Sequence, residues 1–183
     1  VLEMATAARD RGYEYLAICD HTKNVRVVPG LDAGELRRQG EEIAEANAQL
    51  APFRILRGTE VDIRANGELD LPDDVLDELD WVQLSLHAGQ RESREPLTRK
   101  VTEAMRHPAV TCLSHPHGRM INRRPPNALD LEAVQGHGAL PQVGWVGVRV
   151  VLGAADRRHG VGHGRRRLAD HQDARDARRE ARP

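Results

Sequence analysis

Tyr15-Leu16-Ala17-Ile18-Cys19 is a continuous apolar run that stops at Asp20-His21, and the reading of that stop decides the fold. A run so short and so uninterrupted suits a strand buried on both faces of a parallel sheet. Three further runs share the design. Phe53-Arg54-Ile55-Leu56 leads through Gly58-Thr59 to Glu60, Trp81-Val82-Gln83-Leu84-Ser85-Leu86 leads to His87, and Ala109-Val110-Thr111-Cys112-Leu113 leads to His115. Between them lie helical patterns, and strand, polar loop and helix in repetition predict a parallel sheet covered by helices. In such sheets the loops at the C-terminal strand ends build the site. Three imidazoles and a carboxylate are therefore expected to meet at one sheet edge and to hold a metal, although they are dispersed along the chain.

The helical segments have recognisable starts and stops. Leu2, Ala5 and Ala8 before Gly12 indicate a helix packing onto the first strand. Asp32 with Glu35 three residues on is an acidic variant of the capping box, and Leu36, Ile43 and Leu50 then recur along one face. Asn66-Gly67 gives a tight turn before a short helix near Pro72 to Leu79, Glu95 to Arg106 form another, and a last one begins near Asp130. Beyond about Gln135 the text changes to Gly, Arg, His and Ala, with one more candidate strand at Val146 to Leu152. Asp156 to Pro183 has too few large apolar residues to bury anything, so poor order is expected there. The chain thus divides at residue 134, with 135–183 a divergent tail. The tail is either a basic arm for nucleic acid or a GC-rich coding sequence translated out of frame, and the second is favoured.

With 183 residues the chain can bury one core but falls short of the roughly 250 of an eight-unit barrel. One domain, or a portion of one, is expected, and the start at Val1 within a helical pattern suggests that the true N-terminus lies upstream. Lys and Arg total 27 against 28 for Asp and Glu, so net charge leaves no nucleic-acid footprint. Cys19 and Cys112 lie inside strands without a CxxC neighbour and read as small buried hydrophobes. Neither a signal peptide nor a membrane-length apolar stretch is visible, so a soluble cytoplasmic location with no membrane partner is expected. Phosphate-loop, dinucleotide-fingerprint and nucleophile-elbow motifs are missing.

Each candidate has a bland reading beside the functional one. Asp20 and His21 are neighbours on an extended chain and point to opposite faces, which leaves His21 as the better site candidate or else an ordinary surface histidine. Glu60 can bridge two metal ions; Asp62 could replace it, or both could decorate a loop. His87 precedes Ala88-Gly89, small residues that leave room for a ligand. Ser114-His115-Pro116-His117 would place both imidazoles on one side if extended, as proline favours, whereas His107-Pro108 reads as a turn. Lys23, Arg26 and Arg119 suit phosphate, Arg119 through its planar fork.

Taken together these motifs resemble the PHP (polymerase and histidinol phosphatase) superfamily, most closely the C-terminal PHP domain of bacterial family X DNA polymerases. The likeness rests on Arg11 to Lys23, on Gly58 to Ile63 with Gly67-Glu68-Leu69-Asp70, on Ser85-Leu86-His87, and on His115 to Arg119, and it covers residues 1 to about 134. It implies an incomplete, distorted seven-unit β/α barrel with divalent metals, zinc or manganese, at the C-terminal strand ends. Matched by position, His21, Glu60, His87 and His115 resemble the family's metal ligands, Glu60 the bridging one. The family's opening His-x-His and Asp precede Val1, and its closing Asp-x-His has no aligned counterpart after residue 134; Asp156 and His159 are the nearest candidates.

The resemblance implies a metal-dependent phosphoesterase with 3′-5′ exonuclease activity on DNA ends in repair, with DNA as the partner and activity impaired by the unaligned ligands. A free-standing phosphatase for a small phosphate ester such as histidinol phosphate is the alternative. A metal-free module with packing histidines is the third reading.

Overall fold

The computed structural model describes residues 1–25, 28–136 and 150–154, the last five through their backbone. The expectations for Arg26, Asp156, His159 and most of the 135–183 tail therefore fall outside the described residues. Helix α1 (Leu2–Asp10) leads into β1 (Tyr13–His21), followed by α2 (Ala33–Leu50), β2 (Arg54–Asp62), α3 (Asp73–Asp77), β3 (Trp81–Ser85), α4 (Arg94–Met105), β4 (Cys112–Leu113), α5 (Leu131–Gly136) and β5 (Val150–Ala154). The strands form one sheet in the order β4-β3-β2-β1-β5. Strands β1 to β4 are mutually parallel, while β5 lies antiparallel against β1; the expected further strand is met at 150–152 and runs on to 154, and residues 146–149 lie outside the described residues.

Residue parity along the strands separates the two faces. Leu16 and Ile18 of β1 and Ile55 of β2 pack with Ala5 and Ala8 of α1 and with Ile43, Ala46 and Leu50 of α2. Val61, Val82, Leu84 and Leu113 pack with Val75 and Leu76 of α3, Leu97 and Val101 of α4 and Val134 of α5. Each described helix thus contributes to clusters on the same side of the sheet, as the wall of a one-sided α/β layer requires. The opposite face carries smaller groups, with Ala17, Cys19 and Leu56 packed beside Tyr15 and Trp81.

Gly58 lies on that opposite face, and its lack of a side chain is required there. A Cβ would come within 2.6 Å of Cys19 Sγ and 2.8 Å of the Ile18 carbonyl. Both cysteines are buried and free, as expected of small hydrophobes. Burial drives the Cys19 thiol well up from its ordinary value and pushes Cys112 up to about 12, so both stay protonated near neutrality.

Helix α2 starts as its sequence predicts. Asp32 accepts from the Glu35 amide at 2.9 Å and the Glu35 carboxylate accepts from the Asp32 amide at 2.9 Å, closing the capping box. No helix among the described residues is long and apolar enough to cross a membrane.

Candidate metal centre

The parity that leaves one face open also gathers the polar residues there. In the sheet register His21 stands opposite Glu60, and Glu60 opposite Gln83, so three neighbouring strands present one row. His87 follows β3 two residues beyond Ser85, and His115 follows β4. The row lies at the C-terminal ends of four parallel strands, where the run endings place it.

Glu60 is the hub. Its Oε1 lies 2.7 Å from His115 Nε2, 3.9 Å from His21 Nδ1 and 3.9 Å from His87 Nε2. The imidazole rings of His21 and His87 are 5.3 Å apart, those of His87 and His115 5.2 Å. Donor atoms of His21, Glu60 and His87 all fall within 4.8 Å of one another, and His115 joins them through Glu60. The side chain of Glu60 is only 8% exposed, against 21%, 28% and 37% for His21, His87 and His115, so the carboxylate forms the floor and the imidazoles the rim.

Burial pushes the Glu60 carboxyl up, but the His115 hydrogen bond and the three surrounding imidazoles outweigh it and hold the group below its ordinary 4.5. A carboxylate kept ionised among nitrogen donors is the donor chemistry that a borderline or hard divalent cation takes. These residues fit such an ion.

Asp62 belongs to the same centre as a support. It is 1% exposed, and its Oδ1 lies 3.2 Å from His87 Nδ1 and accepts from the His87 amide at 3.1 Å. Its other oxygen accepts from Asn24 Nδ2, while Ser85 Oγ donates to Oδ1 at 3.4 Å. With Nδ1–H turned to a carboxylate, His87 presents its Nε2 lone pair to the cluster, the arrangement that orients metal-binding histidines. Glu60 is the candidate bridge on sequence, with Asp62 as a possible replacement; the geometry puts Glu60 among the imidazoles and Asp62 behind one of them. Asp62→Asn is expected to weaken divalent-cation affinity about tenfold to hundredfold without unfolding the chain, measured by equilibrium dialysis against manganese.

Acid stability follows from the same two groups. Burial raises the Asp62 carboxyl, but the hydrogen bonds from His87 and Asn24 bring it below its ordinary 3.8. Both carboxyls bind protons less readily folded than unfolded, so their stabilisation is complete above 4.5 and 3.8 and is lost as pH falls through the lower folded values. Circular dichroism on acid titration should show the loss below about pH 4.5, and the pair Glu60→Gln with Asp62→Asn should flatten it.

His115 departs from the extended shape that its sequence predicts. Its φ is +28, a left-handed conformation, and the chain turns at Pro116-His117. A non-glycine residue there carries strain on the order of 1–3 kcal/mol, maintained only when the surroundings over-determine it. The Gly118 amide donates to the His115 carbonyl at 2.9 Å, the Asn127 amide group donates to the Pro116 carbonyl at 3.0 Å, and His115 itself is held by Glu60. The two histidines of this segment consequently separate, and His117 is exposed.

The remaining candidates sit apart from the hub. Asp20 turns away from it, accepting from Gln39 Nε2 of α2 at 2.7 Å, in keeping with its opposite parity to His21. Lys23 is engaged at the start of α2, 2.7 Å from Glu35 and 3.7 Å from Asp32. Arg119 is exposed. His107 caps its own turn, accepting from the Ala109 amide at 3.2 Å. Gln83 and Ser114 are site residues that the motif reading passed over: Gln83 Nε2 donates to Glu60 Oε2 at 3.0 Å and Ser114 Oγ donates to Glu60 Oε1 at 3.2 Å. Their signal is a polar residue within or directly after an apolar run, at the parity of the site.

Comparison with known proteins adds an independent line. The chain is 39% identical over 132 residues to the "DNA polymerase/3'-5' exonuclease PolX" of Bacillus subtilis (strain 168), spanning 72% of this chain and 23% of that protein. It is 34% identical over 138 residues to a "Probable phosphatase" of Acetivibrio thermocellus, spanning 73% of this chain and 52% of the relative. A "Probable phosphatase" of Syntrophotalea carbinolica is 30% identical over 135 residues, 72% of this chain and 51% of the relative. The chain thus spans about a quarter of the polymerase and about half of each phosphatase. No protein-family model matches it.

Proposed function

We infer that this chain, which belongs to the PHP (polymerase and histidinol phosphatase) superfamily, contributes the metal-dependent phosphoesterase site of a bacterial family X DNA polymerase, trimming DNA 3′ ends in the cytoplasm during repair. The observation that carries this reading is Glu60 Oε1 facing three imidazoles at the C-terminal strand ends. On this reading residues 1–134 are the phosphoesterase portion, one wall of a seven-unit barrel, and 135–183 a separate tail.

His21, Glu60, His87 and His115 would hold zinc or manganese, and such an ion supplies an activated water and charge neutralisation at the phosphoryl group. Glu60 contributes the negative charge, Asp62 sets the tautomer of His87, and Ser114 and Gln83 fix the rotamer of Glu60. Arg119, four residues beyond His115 and exposed, is placed to meet a phosphate oxygen. Lys23 would first have to leave Glu35.

A strand of DNA is favoured over a small ester by the segment that follows His115. Arg119, Met120, Ile121 and Arg123 are exposed, Ile121 by 75%, on a loop braced where Arg124 Nε donates to the Gly118 carbonyl at 2.7 Å. Arginines beside an apolar tip suit phosphates and base faces together. The pair Ile121→Ala with Arg123→Ala is expected to weaken binding of a single-stranded oligonucleotide about tenfold and to lower its salt dependence, read by fluorescence anisotropy in chelator.

The direct test incubates the purified chain with manganese and a 5′-labelled single-stranded oligonucleotide. Slow shortening from the 3′ end, abolished by chelator, is the expected result, since among the described residues one carboxylate and three imidazoles are fewer donors than a full metal cluster uses. Hydrolysis of histidinol phosphate with the oligonucleotide left intact would favour the free-standing phosphatase.

A further inference from the structure

His87 and His115 each lie near the start of a loop, 86–93 after β3 and 114–130 after β4, and the two loops are tied together away from the cluster. Gln90 Nε2 donates to the carbonyl of Leu86, the residue before His87, at 2.6 Å. Its Oε1 accepts from Arg124 Nη1, while Arg124 Nε donates to the Gly118 carbonyl at 2.7 Å. Gly118 in turn closes the turn at His115, its amide donating to the His115 carbonyl at 2.9 Å. A path of hydrogen bonds therefore joins the backbone beside His87 to the backbone beside His115.

Both ends of this path are held in place. Met120 and Arg124 exchange backbone hydrogen bonds at 3.0 and 2.9 Å, which closes the turn that carries the arginine. Gln90 stands on a loop that leans on α4, where Lys100 Nζ, in a side chain 8% exposed, lies 2.6 Å from Glu92 Oε1. Gly89 passes so near that a Cβ would come within 2.6 Å of that Nζ. Arg124 spans from one loop to the other because a guanidinium presents several N–H donors in a rigid planar fork, whereas an ammonium is a single point.

We propose that Arg124 is a positioning residue that clasps the two histidine-bearing loops through Gln90 and Gly118 and so sets the separation of His87 from His115. This rests on the metal-binding reading of the site. Asp62 and Glu60 hold the two imidazoles from the side of β2, and the clasp holds their backbones from the side of the loops. His115 needs that second hold, because its φ of +28 persists only while its surroundings over-determine it. With the clasp opened, Gly118 loses the Arg124 donor and Gln90 loses its acceptor role, so the two loops move independently. Each imidazole keeps its own carboxylate, but their mutual spacing is no longer imposed.

The test is a double-mutant cycle on manganese uptake with Arg124→Leu, Gln90→Leu and the two combined, and with Arg124→Lys as the variant that keeps the charge without the fork. Thermal melts establish that each is folded, and should Arg124→Leu fail to fold, Gln90→Leu and Arg124→Lys decide alone. In equilibrium dialysis each single replacement should raise the midpoint of uptake about tenfold, the lower end of the range for groups that orient metal ligands. The combined variant should lose no more than either single one, because both break the same link. Arg124→Lys should behave as Arg124→Leu does. At saturating manganese the electron paramagnetic resonance spectrum of each single variant should differ from that of the wild type, whereas a fold that is merely less stable leaves the bound spectrum unchanged. Losses that add in the combined variant, a wild-type midpoint in Arg124→Lys, or wild-type uptake and spectrum in the folded variants overturns the clasp and leaves the metal reading intact. No uptake by the wild-type chain overturns both.

Discussion

Glu60→Gln should strip the chain of firmly held divalent cation, with affinity falling by more than the roughly hundredfold upper range found for supporting residues. The change keeps the size of the side chain and removes the charge around which His21, His87 and His115 are arranged. A neutral amide is a poor substitute for a carboxylate on zinc or manganese. The new amide also faces Gln83, whose Nε2 now donates to Glu60 Oε2. If the glutamine turns its nitrogen to that side, two donors oppose each other; if it turns the nitrogen inward, a donor confronts the imidazoles. Equilibrium dialysis with manganese reads the loss, and an unchanged far-ultraviolet circular dichroism spectrum separates it from unfolding.

Leu84→Ala should produce the largest loss of stability. Leu84 is wholly buried on the helix-bearing side of β3, with Val61 of β2 and Leu113 of β4 as its register neighbours. The position is closed by strands on both sides and by helices above, so little can collapse into the space left behind. Truncation at such a site costs about 2–5 kcal/mol, which lowers the melting temperature of a chain this size by about 5–15 °C. Differential scanning calorimetry would measure it. Because His87 leaves the end of the same strand, metal affinity should fall with it, though by less than in Glu60→Gln.

What the sequence made legible was mostly governed by parity. An apolar strand ending on a polar residue fixes which face that residue takes, so the run endings alone bring His21, Glu60 and His87 to one face. The same rule separated His21 from Asp20, and the structure sends Asp20 to Gln39. The start of α2 was equally plain, because both halves of its capping box lie within four residues of one another.

Features set by contacts distant in sequence were not legible. Pro116 biases His115 towards extended backbone, yet hydrogen bonds from Gly118 and Asn127 and the link to Glu60 hold a positive φ. Lys23 looked available to a phosphate because its partner Glu35 lies across the loop on α2. The direction of β5 had no signal, since a short apolar strand reads the same whether its neighbour runs parallel or antiparallel. Asp62 and Glu60 share a face, so only the positions of His87 and His115 assign their different tasks.

The central claim is that three imidazoles and one carboxylate share a divalent cation at the C-terminal rim of the sheet. An anomalous-difference map from crystals soaked in manganese tests it most directly. The account predicts a peak enclosed by His21 Nδ1, Glu60 Oε1 and His87 Nε2, with His115 bordering it. A saturated soak with no peak in that space, or with manganese bound only elsewhere, would contradict it.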